Sequence, residues 1–194
     1  ANDWENMRRF FSSLSKTGIR GIKIDFMDSA SQERLDFYDA VAENLAKNKL
    51  MVNFHGANTP TGEERSWPHE MSREGIYGGE QNIWAAIGGQ HYCALPFTRL
   101  VSGHADFTGG YFGHGPKLRG SSWTLQMAAN IIYTSPMLHW VSNPADMEAA
   151  FPKDSPEREV VRNIPSVWEE TIVLPPSAIG ECAAFARRSG NQWY

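Results

Sequence analysis

Carboxylate side chains recur near the ends of predicted strands and in one long loop of this 194-residue chain. Glycoside hydrolysis requires two carboxyl groups that flank the scissile bond. Spacing does not choose a pair, because a single acidic loop residue is more often a solvated side chain than a catalyst. The pattern therefore indicates an enzyme-like site rich in carboxylates, and it does not decide which two of them would be catalytic. The candidates are Asp25, Asp28, Glu63, Glu64, Glu70, Glu74, Glu80 and Asp106.

A predicted βαβ unit positions the first of these residues. Residues 22–26 alternate apolar and polar side chains, which indicates a strand, and residues 31–45 have a helical apolar face. Residues 50–55 complete the unit as a second, buried strand parallel to the first. Lys23 and Asp25 then lie at the carboxyl end of a parallel strand, where α/β folds usually place their chemistry. A buried salt bridge or a helix-capping Asp is the alternative, and the cost of burying charge favours function.

Other segments give weaker predictions. The stretch 56–80 lacks periodicity, and such long irregular loops are usually functional. A first helix is predicted, capped by Asp3, with Met7, Phe10, Phe11 and Leu14 facing inward. A strand at 95–101 precedes a glycine-rich loop at 102–120, which holds His104, Asp106, Tyr111 and His114. A helix at 123–133, a strand at 137–141, a helix begun by Asn143-Pro144 and an antiparallel meander after 167 follow.

The alternation of strands and helices predicts an α/β fold, namely part of a (β/α)8 TIM barrel over residues 1–166. Residues 167–194 predict the first strands of an antiparallel β domain. About four or five strand–helix units fit before the meander, so the barrel would be incomplete. Both chain ends interrupt predicted elements, and we therefore expect a piece of a larger protein.

Composition argues against some partners. The net charge is −4 and Lys and Arg do not cluster, which disfavours nucleic-acid binding. No apolar run reaches membrane-spanning length, and no signal-peptide pattern opens the chain. Cys93 and Cys182 are far apart and lack metal-ligand spacing, so they do not settle the compartment.

An ordered series of motifs resembles glycoside hydrolase family 97, which includes bacterial α-glucosidases and α-galactosidases. The resemblance implies an N-terminal β-sandwich, a catalytic (β/α)8 barrel and a C-terminal β domain. This chain resembles the later part of the barrel and the first strands of the last domain, so the missing N-terminal domain would be its partner. The motifs are Lys23-Ile-Asp25-Phe, Met51-Val-Asn-Phe-His-Gly56, Pro60-Thr-Gly62, Arg65, Trp67-Pro68, Arg73-Glu74-Gly75, Gly78-Gly79-Glu80, Pro96-Phe-Thr-Arg99, Asp106-Phe-Thr108 and Ala184-Phe-Ala-Arg-Arg188.

The resemblance also sorts the chain between two mechanisms. The inverting branch of the family has Glu immediately after the His of the Asn-x-His segment, and this chain has Gly56 there. The retaining branch has Gly there and an Asp after the earlier strand, which matches Asp25. Asp25 is thus implied as the nucleophile and Glu80 as the acid/base, two carboxyls that retention places roughly 5–5.5 Å apart.

The resemblance implies a Ca²⁺ ligand at Glu74, and a surface carboxylate is the alternative reading. Because other calcium ligands of the family include residues of its N-terminal domain, we expect this segment alone to bind calcium weakly or not at all. Lys23 and His55 are implied as substrate-contacting residues, although a strand-end His is often structural. Arg99 and Asp106 are weaker candidates, since an Arg–Asp pair tying loops together explains them equally well. Among the tryptophans, only Trp67 is singled out as a possible sugar-stacking platform.

The implied activity is that of a retaining, exo-acting α-glycosidase on terminal α-linked sugars of an oligosaccharide or glycoside. Galactose is favoured, while glucose and arabinopyranose stay open. The alternatives are an inverting α-glucosidase, which Gly56 argues against, and a catalytically silent carbohydrate-binding fragment. The truncation argues against activity of this segment alone. The resemblance further implies a periplasmic location.

Overall fold

A computed structural model describes residues 2–112 and 118–194, which divide into two compact units. The first unit contains the residues up to Gly75 together with Ser102–Asp106, and the second contains Ile76–Val101 and Phe107–Tyr194. The first unit has helices α1 (Asn2–Ser15) and α2 (Gln32–Lys47) and strands β1 (Gly21–Ile24), β2 (Met51–Phe54) and β3 (Glu70–Arg73). The second has helices α3 (Gly89–Ala94), α4 (Trp123–Ile132), α5 (Pro144–Ala150) and α6 (Pro156–Asn163) and strands β4 (Glu170–Val173), β5 (Phe185–Ser189) and β6 (Gln192–Trp193).

The predicted βαβ unit is confirmed. Strands β1, β2 and β3 form a parallel sheet in that order, and α2 connects the first two. The Ser31 side chain accepts a hydrogen bond from the Arg34 N–H and caps α2. The apolar face of α2 packs against β2, and burial of that face is what holds a short amphipathic helix on a sheet. This core contains Phe11, Met27, Tyr38, Val41, Leu45, Leu50, Val52 and Phe54.

Two predictions for the first unit are wrong. Phe10 does not face inward, because 55% of its surface is exposed while the adjacent Phe11 is buried. The stretch 56–80 is not irregular throughout, since it contains β3. This strand escaped the periodicity test because its side chains at Glu70, Ser72 and Arg73 are polar yet buried.

The antiparallel meander of the second unit is confirmed as the sheet β4–β5–β6. The predicted helices α4 and α5 are confirmed too, and Asn143 caps α5 by accepting from the Asp146 N–H. Helices α3 and α6 were not predicted. For α6 the signal is present in the sequence, because Ser155-Pro156 repeats the cap-then-proline start of α5.

Two predicted strands of the second unit are wrong. Residues 95–101 form two 3₁₀ turns, Leu95–Phe97 and Arg99–Val101, because Pro96 suits the first turn of a helix and donates nothing to a strand ladder. Residues 137–141 form no strand beyond an isolated parallel bridge between Trp140 and Gly109. The predicted glycine-rich loop is described on both sides of 113–117, and His114 lies outside the described residues.

The α/β class is therefore confirmed, with a parallel sheet in one unit and an antiparallel sheet in the other. A domain boundary near residue 166 stays a prediction. Among the described residues, no helix has the length and apolar character needed to cross a membrane.

Candidate active site

Charged side chains of the first unit gather beyond the carboxyl ends of its parallel strands. Lys23 lies on β1, His55 follows β2 and Glu74 follows β3. Asp106 follows Ala105, which forms a parallel bridge with Arg73 at the end of β3. Parallel strands end at the same edge of a sheet, which brings residues from four chain segments together.

A buried carboxylate joins three of these segments. The Asp106 side chain has no exposed surface, and its Oδ2 lies 2.8 Å from Lys23 Nζ and 2.8 Å from His55 Nδ1. An ionised carboxylate is costly to bury unless charged or polar donors satisfy it, and two donors do so here. Asp106 is thus the anion that holds Lys23 and His55 in place, which is a pairing the sequence did not predict.

His55 lies between two carboxylates. Its Nδ1 faces Asp106, and its Nε2 lies 3.5 Å from Glu74 Oε1. Burial opposes protonation of the ring, but the hydrogen bond to Asp106 and the charge of Glu74 outweigh it and raise the His55 pKa to about 8. The ring is therefore mostly protonated at neutral pH, when it can donate through both nitrogens.

Glu74 is buried, and its Oε2 accepts a hydrogen bond from the Gly56 N–H. Carboxylate oxygens are hard ligands of the kind that Ca²⁺ prefers. The neighbouring His55 offers nitrogen, which suits calcium poorly. The chemistry of Glu74 thus fits one oxygen contributor to a calcium site, whose other ligands would have to be oxygens.

The main chain around Gly56 places Asp25. Asp25 is exposed, directly follows β1, and accepts a hydrogen bond from the Phe26 N–H at 2.6 Å through Oδ1. Gly56 has a φ of +56°, and a Cβ at that position would lie 2.9 Å from the Phe26 nitrogen and 3.0 Å from Asp25 Oδ1. A side chain at position 56 would therefore have to displace the main chain at Phe26 or the Asp25 carboxylate.

Three other predicted site residues, Trp67, Glu80 and Arg99, do not directly follow the carboxyl ends of strands β1–β3. Trp67 precedes the amino end of β3, where its indole N–H donates to Asp39 of α2 at 3.1 Å. Glu80 lies half-buried on the 3₁₀ turn Gly79–Ile83 of the second unit. Arg99, also partly buried, begins another 3₁₀ turn of that unit.

Arg73 has a larger role than its place in a sequence motif suggested. It is 1% exposed, binds both carboxylate oxygens of Glu70 at 2.7 and 3.0 Å, and lies 4.3 Å from the Tyr38 ring centroid. Its Nη1 donates to Asn58 and Glu63, each at 3.1 Å. Arg73 thereby fixes the end of β3 immediately before Glu74. Hydrophobic periodicity does not reveal a buried arginine, and the sequence pointed to Arg73 only through the motif Arg73-Glu74-Gly75.

The family model described as Glycoside hydrolase 97 matches residues 2–76 of this chain. A "Probable retaining alpha-galactosidase" of Streptomyces bingchenggensis is 35% identical over 98% of the chain, which covers 29% of that protein. A "Retaining alpha-galactosidase" of Bacteroides thetaiotaomicron is 31% identical over 99% of the chain, which covers 30% of that protein. The chain thus spans less than a third of the length of these curated relatives.

Solved structures share the fold. A glycoside hydrolase family 97 enzyme from Pseudoalteromonas sp. strain K8, solved in complex with acarbose, matches with a TM-score of 0.84 at 23% identity. That match covers 99% of this chain and 32% of the other. A beta-arabinopyranosidase matches with a TM-score of 0.83 at 25% identity, over 96% of this chain and 31% of the other.

Replacing Gly56 by Ala tests the contact with Asp25. Gly18→Ala is the matched control, since Gly18 also has a positive φ but a Cβ there meets nothing within 4 Å. We expect a loss in the free energy of unfolding of about 1 kcal/mol for Gly18→Ala and about 3 kcal/mol for Gly56→Ala, because only the second adds a steric overlap. Urea unfolding measures both, and equal losses would contradict the close approach of Gly56 to Asp25.

The protonation of His55 can be followed by NMR titration of its ring in metal-free buffer. We expect a midpoint near pH 8, and a lower one in Asp106→Asn, which removes an anionic hydrogen-bond acceptor. Because the folded pKa exceeds the ordinary 6.5, protonated His55 stabilises the fold by about 2 kcal/mol below pH 6.5. That stabilisation is lost as the pH rises through 8. A midpoint of 6.5 in both proteins would refute the assigned cause.

Proposed function

We propose that the protein is a retaining α-glycosidase of glycoside hydrolase family 97, with α-galactosides as its leading substrates. Support for the substrate comes from the two curated relatives named as retaining α-galactosidases, at 31% and 35% identity over nearly the whole chain. The observation that carries the mechanism is Gly56, which leaves room for Asp25 and supplies no carboxylate of its own. The proposal extends to the whole protein, of which this chain would be the catalytic part.

In the proposed reaction, the Asp25 carboxylate attacks the anomeric carbon and forms a glycosyl ester as the glycosidic bond breaks. Glu80 gives its proton to the departing oxygen, and then takes a proton from the water that cleaves the ester. Two inversions at the anomeric carbon give net retention. The exposed position of Asp25 at a strand end supports the role of a nucleophile that must reach a substrate.

Lys23 and His55 are the proposed donors to sugar hydroxyl groups. The Lys23 side chain is 30% exposed, and an ammonium group has three donors, so a donor beyond the one bound to Asp106 can face a sugar. Asp106 would act by orienting both residues rather than by touching substrate. Arg99 stays a predicted substrate contact. The hydrogen bond of Trp67 to Asp39 favours a structural role for this tryptophan over sugar stacking.

Glu74 is the proposed Ca²⁺ ligand, supported by its burial next to the charged cluster and by the oxygen chemistry of its carboxylate. A bound calcium ion would supply positive charge that orients or polarises sugar hydroxyls. The barrel assignment belongs to the same proposal, and it is supported by the parallel sheet and by the parallel bridges at Ala105 and Gly109. A periplasmic location stays a prediction.

Two other activities remain as outcomes to be tested. An inverting α-glucosidase needs a carboxylate where this chain has Gly56, which argues against it. A protein that binds carbohydrate without cleaving it is disfavoured by the presence of both Asp25 and Glu80. Arabinopyranosides are a further substrate class to include, because one structural relative is a beta-arabinopyranosidase.

The first test is NMR of the sugar released by the full-length protein from aryl α-galactoside, aryl α-glucoside and aryl β-arabinopyranoside. We expect the α-anomer of galactose to appear first, since retention preserves the configuration of the substrate. A β-anomer as the initial product from either α-glycoside, or an α-anomer from the β-arabinopyranoside, would establish inversion and remove the nucleophilic role of Asp25. Binding of these sugars without any release would establish the silent carbohydrate-binding alternative.

Replacing Asp25 by Ala in the full-length protein tests the nucleophile. Turnover should fall by about 10³-fold or more, and azide should restore it by attacking from the vacated face to give the β-glycosyl azide. Asp36→Ala, which removes an exposed carboxylate of α2, is the control and should leave turnover unchanged. Rescue that gives the α-glycosyl azide would contradict the assignment of Asp25.

A further inference from the structure

We propose that Tyr111 is a positioning residue for Glu80. Its hydroxyl holds the main chain at Glu80 and thereby sets the direction in which the Glu80 carboxyl leaves the turn. The inference rests on the proposed acid/base function of Glu80, and it concerns contacts within the second unit alone. Tyr111 has no place among the residues that the sequence motifs marked as chemical.

The hydrogen bond of Tyr111 is the first observation. Its side chain is fully buried, and its hydroxyl donates to the main-chain carbonyl of Glu80 at 3.1 Å. Burial and the nearby negative charge of Glu80 both raise the Tyr111 pKa, so the hydroxyl keeps its proton throughout the pH range of enzyme action. Tyr111 is therefore a permanent donor to the residue that carries the proposed acid.

The turn before Glu80 packs against the segment that carries Tyr111. The Gly79 N–H donates to the Phe107 carbonyl at 2.6 Å. A Cβ at Gly78 would lie 2.6 Å from the same oxygen, and a Cβ at Gly79 would lie 2.8 Å from Gly109 Cα. Only glycines allow this contact of main chain on main chain. Tyr111 extends it by one more hydrogen bond, at Glu80 itself.

Residues 107–111 contain an unfavourable main-chain conformation at Thr108. Thr108 has a φ of +49°, which is rare for a β-branched residue. Its buried hydroxyl has no hydrogen-bond partner among the described residues. Such strain persists only where surrounding contacts over-determine the main chain. Residues 107–111 therefore act as a fixed support for the Glu80 turn.

Tyr111→Phe in the full-length protein removes the hydroxyl and keeps the ring. Acid assistance matters most for poor leaving groups. We therefore expect kcat/KM to fall about tenfold for a methoxyphenyl α-galactoside and less than twofold for a dinitrophenyl α-galactoside. Tyr133→Phe is the matched control, because Tyr133 is also buried and its hydroxyl donates to a main-chain carbonyl, that of Tyr92, at 3.0 Å. Its effect on the two substrates should be equal.

Each outcome has a separate meaning. A tenfold loss confined to the poor leaving group in Tyr111→Phe, with equal effects in Tyr133→Phe, supports positioning. An equal loss of kcat/KM on both substrates in Tyr111→Phe, or no loss on either, overturns the positioning role. The proposed function is unaffected by that result as long as the wild-type protein is active. A wild-type protein that cleaves neither galactoside overturns the proposed function itself, and the positioning role with it.

Discussion

The buried carboxylate of Asp106 is the constraint on which the first unit depends. An ion removed from water costs several kcal/mol unless its oxygens are satisfied, and Lys23 and His55 satisfy this one at 2.8 Å each. These partners come from β1 and from the residue after β2, so both strands must end at the same level as Asp106. The charge pairing and the parallel sheet therefore require each other.

Main-chain contacts at glycines place both proposed catalytic carboxyls. Gly56 allows the chain after β2 to approach Asp25, and Gly78 and Gly79 allow the turn before Glu80 to lie on residues 107–109. Each residue has only two rotatable main-chain bonds, fewer than a long side chain has. Main-chain contacts therefore hold a catalytic residue in position with little loss of conformational entropy during the reaction. The glycines in these motifs thus have a positional meaning that their chemistry alone does not reveal.

The buried arginine network gives the second support of the first unit. Arg73 satisfies Glu70 with two hydrogen bonds and stacks over Tyr38, which joins β3 to α2 through a charged group. Glu74 directly follows Arg73 in the chain, so the hydrogen bonds of Arg73 to Glu70, Asn58 and Glu63 also restrain the main chain at Glu74. A metal ligand or substrate contact held in this way needs little reorganisation on binding.

The sequence by itself determined the βαβ unit, the helices α2, α4 and α5, and the final meander. Periodicity, and at Asn143 also helix capping, are local properties that a short window of sequence carries. It also determined the family resemblance, through motifs that include both proposed catalytic carboxylates. Only the tertiary structure decided that β3 is a strand, that Asp106 pairs with Lys23 and His55, and that a side chain at position 56 would meet Asp25. These features join residues as many as 83 positions apart, as in the pair Lys23–Asp106 (106 − 23), and such proximity has no local signature in the chain.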